Sequence, residues 1–257
     1  IDPQTARALV AINHVFYREQ ASAFSRTRTA PWPGWQRILA TLPKRGLRIL
    51  DVGCGNGRLA RALAAAGIEV SHYVGVDTSR QLLARAREAA HASGLPRVSA
   101  LCLDLAGCGP PALGSGWALA ASGRAGFDAI AVFGLLHHIP GAANRLALLR
   151  RCAEQLAPGG RLALSVWDFD ERARFRQKQV PWAELPRYGF PPVDERKVEA
   201  GDRLLRWGEN QVRYCHQVSR EEREGWVSAL PLSLAERFVA DGAPGDLNEY
   251  FVFERDV

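Results

Sequence analysis

Apolar positions along this 257-residue chain follow first a helical and then a strand-and-helix rhythm. Asp2-Pro3 reads as an N-cap followed by proline at the first helical position. Leu9, Ile12 and Phe16 then recur at helical spacing and predict an amphipathic helix to about Phe24. Pro31-Trp32-Pro33-Gly34-Trp35 interrupts it, and a second short helix is expected to run to Leu42. From Arg48 onward, short runs of aliphatic residues predict strands at 48–52, 73–77, 98–104, 127–133 and 161–167. Such runs, apolar throughout, suit strands buried on both faces. Helical stretches at 58–66, 79–93 and 142–156 lie between them. This alternation implies an α/β fold, a parallel sheet with helices on both faces. Gly94 and Pro96 close the second of these helices, and Ala157-Pro158-Gly159-Gly160 is expected to be a turn into the fifth strand.

Two stretches break the rhythm. Residues 106–126 form a long segment rich in Gly, Pro and Ala, and residues 168–218 form an insertion without clear periodicity. After it, 219–230 predicts a helix opened by a capping pattern, Ser219 with Glu222 three residues later. Residues 233–241 and 249–255 are expected to be the last two strands, the final one closing the sheet edge. The chain thus reads as one domain: a helical cap (1–46), a core (47–167), a lid (168–218) and a C-terminal helix with strands (219–257).

Composition changes this picture little: 47% hydrophobic and 23% charged residues is ordinary for a globular chain. No apolar run is long enough to span a bilayer and no signal-peptide pattern opens the chain, so no membrane role is expected. Five cysteines without ligand spacing argue against a disulfide framework and a zinc site, and for a reducing, cytoplasmic setting with no metal. The chain begins at Ile1 and contains no methionine, so a start upstream of Ile1 is expected. The net charge of +6 is uneven. Residues 1–50 carry eight Arg/Lys against two acids, whereas 168–218 are nearly balanced at ten against nine. A concentrated basic segment attracts nucleic acid or an acidic ligand, unless its arginines simply solvate helix faces.

The chemistry begins where the first strand ends. Asp51-Val52 turns through Gly53-Cys54-Gly55-Asn56-Gly57 into a helix, a βα turn of the nucleotide-binding kind. A dinucleotide fingerprint would need a third glycine at position 58, which is Arg58. The pattern instead suits S-adenosylmethionine (SAM), which has an amino acid moiety and no pyrophosphate. The glycine backbone can lie beneath that moiety while Asp51 reaches its ammonium. Asp77 ends the second strand, where a carboxylate can accept from both ribose hydroxyls, and Asp104 ends the third, placed for the adenine amino group. Each alone reads equally as a polar strand end; three around one glycine turn describe a pocket.

At this point the sequence resembles the class I SAM-dependent methyltransferases. The motifs ILDVGCGNG, VGVDTS, LCLDLA, FDAIAVFGLLHHIP and LAPGGRLAL follow in that family's order over roughly residues 47–167. The resemblance implies a Rossmann-like, doubly wound, mostly parallel seven-stranded sheet, with an N-terminal helical cap and a lid after the fifth strand. It implies SAM as cofactor, held by Tyr17, Arg28, Asp51, Gly53, Gly55, Asn56, Gly57, Asp77, Thr78, Asp104, Leu105 and Phe133. In this family the loop after the fourth strand borders the transferred methyl group. His137 or His138 would there serve as general base, or else cap the next helix or pack under the loop.

The flanks narrow the acceptor. Residues 17–28, Pro31-Trp32-Pro33, His137-His138, Val166-Trp167, Val180-Pro181-Trp182 and Arg213-Tyr214-Cys215-His216 resemble patches of the tRNA wobble-uridine carboxymethyl methyltransferases. The resemblance implies Tyr17 and Arg28 over the active site, Arg28 gripping a carboxylate, and Trp32, Trp182, Arg213, Tyr214 and His216 facing substrate. It also implies tRNA as partner, and a small zinc-binding activator subunit as another. The lid interleaves Arg172, Arg174, Arg176 and Lys178 with Phe169, Phe175, Trp182 and Tyr188, a mixture that stacks bases and neutralises phosphates, or else packs the lid down. Two other readings stay open: a small-molecule methyltransferase of the same fold, and a SAM-binding scaffold without transfer activity.

Overall fold

The carboxylate of Asp2 accepts hydrogen bonds from the Gln4 and Thr5 backbone N–H groups, at 2.9 and 3.0 Å, and starts helix α1 (Pro3–Arg26). This is a computed structural model, and it describes residues 1–106 and 126–257. Helix α2 (Pro33–Ala40) completes the cap. The core follows as β1 (Leu47–Val52), α3 (Arg58–Ala65), β2 (Val70–Asp77), α4 (Arg80–Ala92), β3 (Val98–Cys102), β4 (Phe127–Val132), α5 (Ala142–Glu154) and β5 (Leu156–Trp167). The lid holds α6 (Ala173–Arg176), β6 (Gln179–Val180), β7 (Asp202–Trp207) and β8 (Gln211–His216), and the chain ends with α7 (Arg220–Ala229), β9 (Ser233–Ala240) and β10 (Asn248–Glu254).

Seven strands form one sheet in the order β3-β2-β1-β4-β5-β10-β9. The first five run parallel, and β10 pairs antiparallel with both β5 and β9. Its two faces carry separate cores. Leu50, Val52, Val74, Val76, Ile130 and Val132 pack on one, and Ile49, Tyr73, Ala131, Ala163, Tyr250 and Val252 on the other. Strand order reverses between β1 and β4, the switch point above whose carboxyl ends ligands bind in open α/β sheets.

Several expectations are corrected. The final strand does not close the edge: β10 is inserted between β5 and β9, and β9 is the edge strand. Residues 157–160 are not a free turn but lie within β5, where Gly159 at φ +71° donates to the Arg255 carbonyl. Strand β3 stops at Cys102, so Asp104 lies two residues beyond it. The insertion contains a three-stranded antiparallel sheet, β6-β7-β8. Ser219 accepts from the Glu222 N–H as a capping pattern requires, but the Glu222 carboxylate turns to Arg145 instead of the cap. Most of the long segment expected at 106–126 lies outside the described residues, as does Cys108; Cys54, Cys102, Cys152 and Cys215 are free thiols. Among the described residues no helix is long and apolar enough to cross a membrane.

Candidate active site

Gly53, Gly55 and Gly57 all adopt positive φ (+77°, +54° and +77°), the left-handed region that side chains resist. They do so for different reasons. The N–H groups of Gly53 and Cys54 donate to the Val76 carbonyl at 2.8 and 3.0 Å and fasten the turn to β2. At Gly55 an added Cβ would meet nothing within 4 Å, so its backbone is bare to the cavity above. At Gly57 a Cβ would come within 2.8 Å of the Ala86 Cα, so this glycine serves the packing of α3 on α4. The Asn56 amide donates to the Arg28 carbonyl at 3.0 Å, tying the glycine turn to the helical cap.

Two buried carboxyls flank this turn. Asp77 accepts from Gly55 N–H and Ser79 N–H, both at 2.9 Å. Burial raises its pKa against these backbone bonds. Asp51 accepts from the Tyr73 hydroxyl at 2.5 Å. Burial pushes Asp51 up to about 7, the Tyr73 bond pulling it back and the Asp77 charge adding to the rise.

Above them opens a cavity of about 660 Å³, within the usual range for small-molecule sites. Asp51, Gly53, Gly55, Asn56, Asp77, Thr78, Leu105 and Phe133 line it, and so do Tyr17, Arg28, Trp32, His137, His138 and Arg213. Residues from the cap, the glycine turn, the loop after β4 and the lid thus meet around one space. The donor set fits SAM: an ammonium beside Asp51 would offset the cost of burying that carboxylate, and the bare Gly55 backbone leaves room for the amino acid moiety.

Five candidates are placed elsewhere. Gly57 packs helices. Asp104 accepts from the Ala106 N–H and lies 3.7 Å from His14. Trp182 is buried with Leu9, Ile12 and Val180 between α1 and the lid. The Tyr214 hydroxyl and His216 Nδ1 both meet Asp202, each at 2.7 Å. The reason is strand alternation: on β8, Val212, Tyr214 and His216 share one face, and only Arg213 projects into the cavity.

The two histidines divide their work. His138 Nδ1 donates to the Tyr214 carbonyl at 3.0 Å, which leaves Nε2 to accept from the Tyr17 hydroxyl at 2.8 Å. Both nitrogens are therefore committed within the fold, and Asn13 braces the same carbonyl at 3.1 Å. Burial, then the Arg213 charge, brings His138 down to about 3. His137 is also held neutral by burial and by neighbouring cations, and among the described residues its buried Nδ1 has no hydrogen-bond partner.

Arg213 is the notable charge. It is 7% exposed and sits among the rings of Phe16, Trp167 and Trp207 at 5.2–5.9 Å. Among the described residues no carboxylate pairs with it. The Arg28 guanidinium, over the Phe24 ring, bonds only to Thr27 among the described residues; burial and then the Arg213 charge lower its pKa. Arg28 and Arg213 thus face the cavity that Asp51 and Asp77 also line, and among the described residues neither cation is paired with an acid.

Among the described residues two clusters have ligand-type side chains, His137/His138/Cys215 and Glu199/Asp202/His216. In the first the His138 nitrogens are already used. In the second Arg145 supplies the cation, bonding Glu199 at 3.0 Å.

Sequence reasoning missed Asn13, Arg58, Trp35 and Trp207, all of which line the cavity. Asn13 was visible as a polar break on the apolar face of α1. Arg58 served only to reject a dinucleotide loop, yet it lies over Trp32 and Trp35 at 4.8 and 5.1 Å.

Residues 50–162 match a methyltransferase domain family. The chain is 33% identical over 160 residues to the tRNA (carboxymethyluridine(34)-5-O)-methyltransferase ALKBH8 of Mus musculus, covering 62% of this chain and 20% of that protein. It is 36% identical over 131 residues to a ubiquinone biosynthesis O-methyltransferase of Xylella fastidiosa, covering 50% of this chain and 45% of that one. The chain therefore spans about a fifth to under half of these curated relatives. A SAM-dependent methyltransferase from Methanosarcina mazei superposes with a TM-score of 0.61 over 89% of this chain and 99% of that one, at 17% identity. The chain thus carries a methyltransferase domain with the fold of SAM-dependent methyltransferases, and it resembles the tRNA carboxymethyluridine methyltransferases.

Proposed function

We propose that the protein methylates a carboxylate, and that this carboxylate is the carboxymethyl group of a tRNA wobble uridine. The observation that carries this reading is Arg213, a buried cation caged by three aromatic rings, open to the cofactor cavity and paired with no carboxylate among the described residues. A buried charge is costly unless a partner pairs with it, and here the partner would be the acceptor. The name of the mouse relative supports the finer identity.

When bound, SAM supplies a methyl group on a positively charged sulfur, open to attack by a nucleophile. A carboxylate acceptor is ionised at neutral pH and needs no general base. This agrees with two neutral histidines, one fully engaged and neither suited to hold a proton at pH 7. The residues instead hold and align: Arg213 and Arg28 grip the acceptor, His138 fixes the Tyr17 hydroxyl, and Phe133, Trp32 and Trp167 exclude water.

Transfer of labelled methyl from SAM to total tRNA, followed by nucleoside analysis, tests the reading. The label should be lost in mild alkali, as a methyl ester is; alkali-stable label would reject a carboxylate acceptor. Arg213→Gln should lower kcat/KM by about 100-fold, the worth of a charged hydrogen bond near 3 kcal/mol, with SAM affinity almost unchanged. A second reading, a small-molecule O-methyltransferase, is favoured by the likeness to the ubiquinone enzyme. It predicts no label on tRNA.

A further inference from the structure

We infer that the lid edge at the cavity mouth is a phosphate-binding strip that holds the backbone of a single-stranded polynucleotide while one nucleotide enters the cavity. This deepens the tRNA reading above and rests on it. Arg174, Lys178 and Arg206 are exposed and line the mouth. The Arg206 N–H donates to the Lys178 carbonyl at 2.8 Å, so two of these cations spring from adjoining backbone.

The lid as a whole is almost neutral, but its charges are sorted. Arg172 pairs with Asp246, Arg187 with Glu184, Arg196 with Asp194 and Arg203 with Asp170, at 2.6–3.1 Å. Among the described residues Arg174, Lys178 and Arg206 have no acidic partner. Among the described residues Arg176 and Lys197 also lack an acidic partner but do not line the cavity, so the near-balance read from composition hides a local excess of positive charge where the lid borders it.

Aromatic rings lie among these cations. Arg174 covers the Phe175 ring at 4.5 Å, Phe175 meets Trp167 edge-on at 4.7 Å, and Trp207 adjoins Arg206 at the mouth. Rings beside unpaired cations suit stacked bases on a tracked backbone. With Arg213 at depth, the anions of the ligand must fall in order: one inside, several outside. A polynucleotide bearing an acidic base substituent has that order.

The test compares the wild type with Arg174→Gln/Lys178→Gln/Arg206→Gln and with a charge-matched control, Arg187→Gln/Arg196→Gln/Lys197→Gln, whose residues do not line the mouth. Binding of an unmodified anticodon-loop RNA is measured across a salt series, and a SAM-induced thermal shift verifies that each variant is folded. Each phosphate contact contributes about 0.7 to the logarithmic salt slope on a single strand, so the mouth variant should lose about 2 of that slope while the control keeps it. An unchanged slope in the mouth variant, with tRNA methylated by the wild type, overturns the strip alone. A lost slope with no methyl on tRNA overturns the acceptor and leaves the strip. Binding of the wild type to phosphatidylserine vesicles but not to RNA overturns both.

Discussion

Asp51 is a carboxyl held near the midpoint of its titration at neutral pH, because burial raises it to about 7 while the Tyr73 hydroxyl bonds only one of its oxygens. Its protonated form cannot pair with an ammonium. SAM affinity should therefore be flat above pH 7 and fall by up to about tenfold per pH unit below it, as a single-proton linkage requires. Tyr73→Phe removes a bond that favours the ionised form and should move that midpoint upward. Calorimetric titration from pH 5.5 to 8.5 measures both; an affinity that stays flat down to pH 5.5 would reject the role. Asp51 was legible in the sequence because it interrupts an apolar run two residues before a glycine turn, and Asp77 because it ends the apolar run of β2. Asp104 was read as the strand end because the apolar run continues to Leu103, whose N–H still donates to the Asp77 carbonyl, but the last residue paired with β2 is Cys102. Sequence marks where apolar residues end, not where a ladder ends.

At the scale of elements, α3 begins at a left-handed glycine pressed against α4. Gly57→Ala forces φ +77° on a residue with a Cβ and drives that atom to 2.8 Å from Ala86. Denaturant unfolding should show a loss of about 2 kcal/mol or more, the strain of φ and the clash together. A loss under about 0.5 kcal/mol would mean that α4 yields freely. The parallel strands were legible because they are buried on both faces and so apolar throughout. The lid strands were not: β7 (DRLLRW) and β8 (QVRYCH) mix charge with apolar residues, since one face meets the core and the other the cavity or solvent. The neighbours Arg213, Tyr214 and His216 look in sequence like one patch. Alternation separates them, and only the first reaches the cavity.

Across the whole molecule, the lid is joined to the core by a buried ionic cluster. Arg145 of α5, fully buried, bonds Glu222 of α7 at 2.6 Å and Glu199 of the lid at 3.0 Å. His216 adds a positive charge 2.7 Å from Asp202 and 3.7 Å from Glu222. Burial disfavours the His216 imidazolium, but these carboxylates outweigh it and the pKa is raised. Its stabilisation is complete below the unfolded pKa near 6.5 and is lost as pH rises through the raised folded value. Glu222 behaves oppositely. Burial is overcome by His216 and Arg145, the pKa falls to about 2, and its stabilisation, complete above 4.5, is lost as pH falls toward 2. The part of the stability carried by His216 should thus decline on the alkaline side, and His216→Gln should remove that part of the decline from the pH profile of the thermal midpoint. An identical pH profile in the variant would show that His216 carries no linked proton. A last consequence lies in the docking of α2 on the end of the chain. The Gly34 N–H donates to Asp241 at 2.9 Å, the Tyr250 ring fills the space a side chain at position 34 would take, and Trp35 stacks on Phe133 at 5.2 Å. During synthesis the cap must therefore wait for more than two hundred further residues before its seat exists. Contacts of such long sequence separation form late, which makes the roof of the cavity a closing step of folding and the glycine turn beneath it an early one.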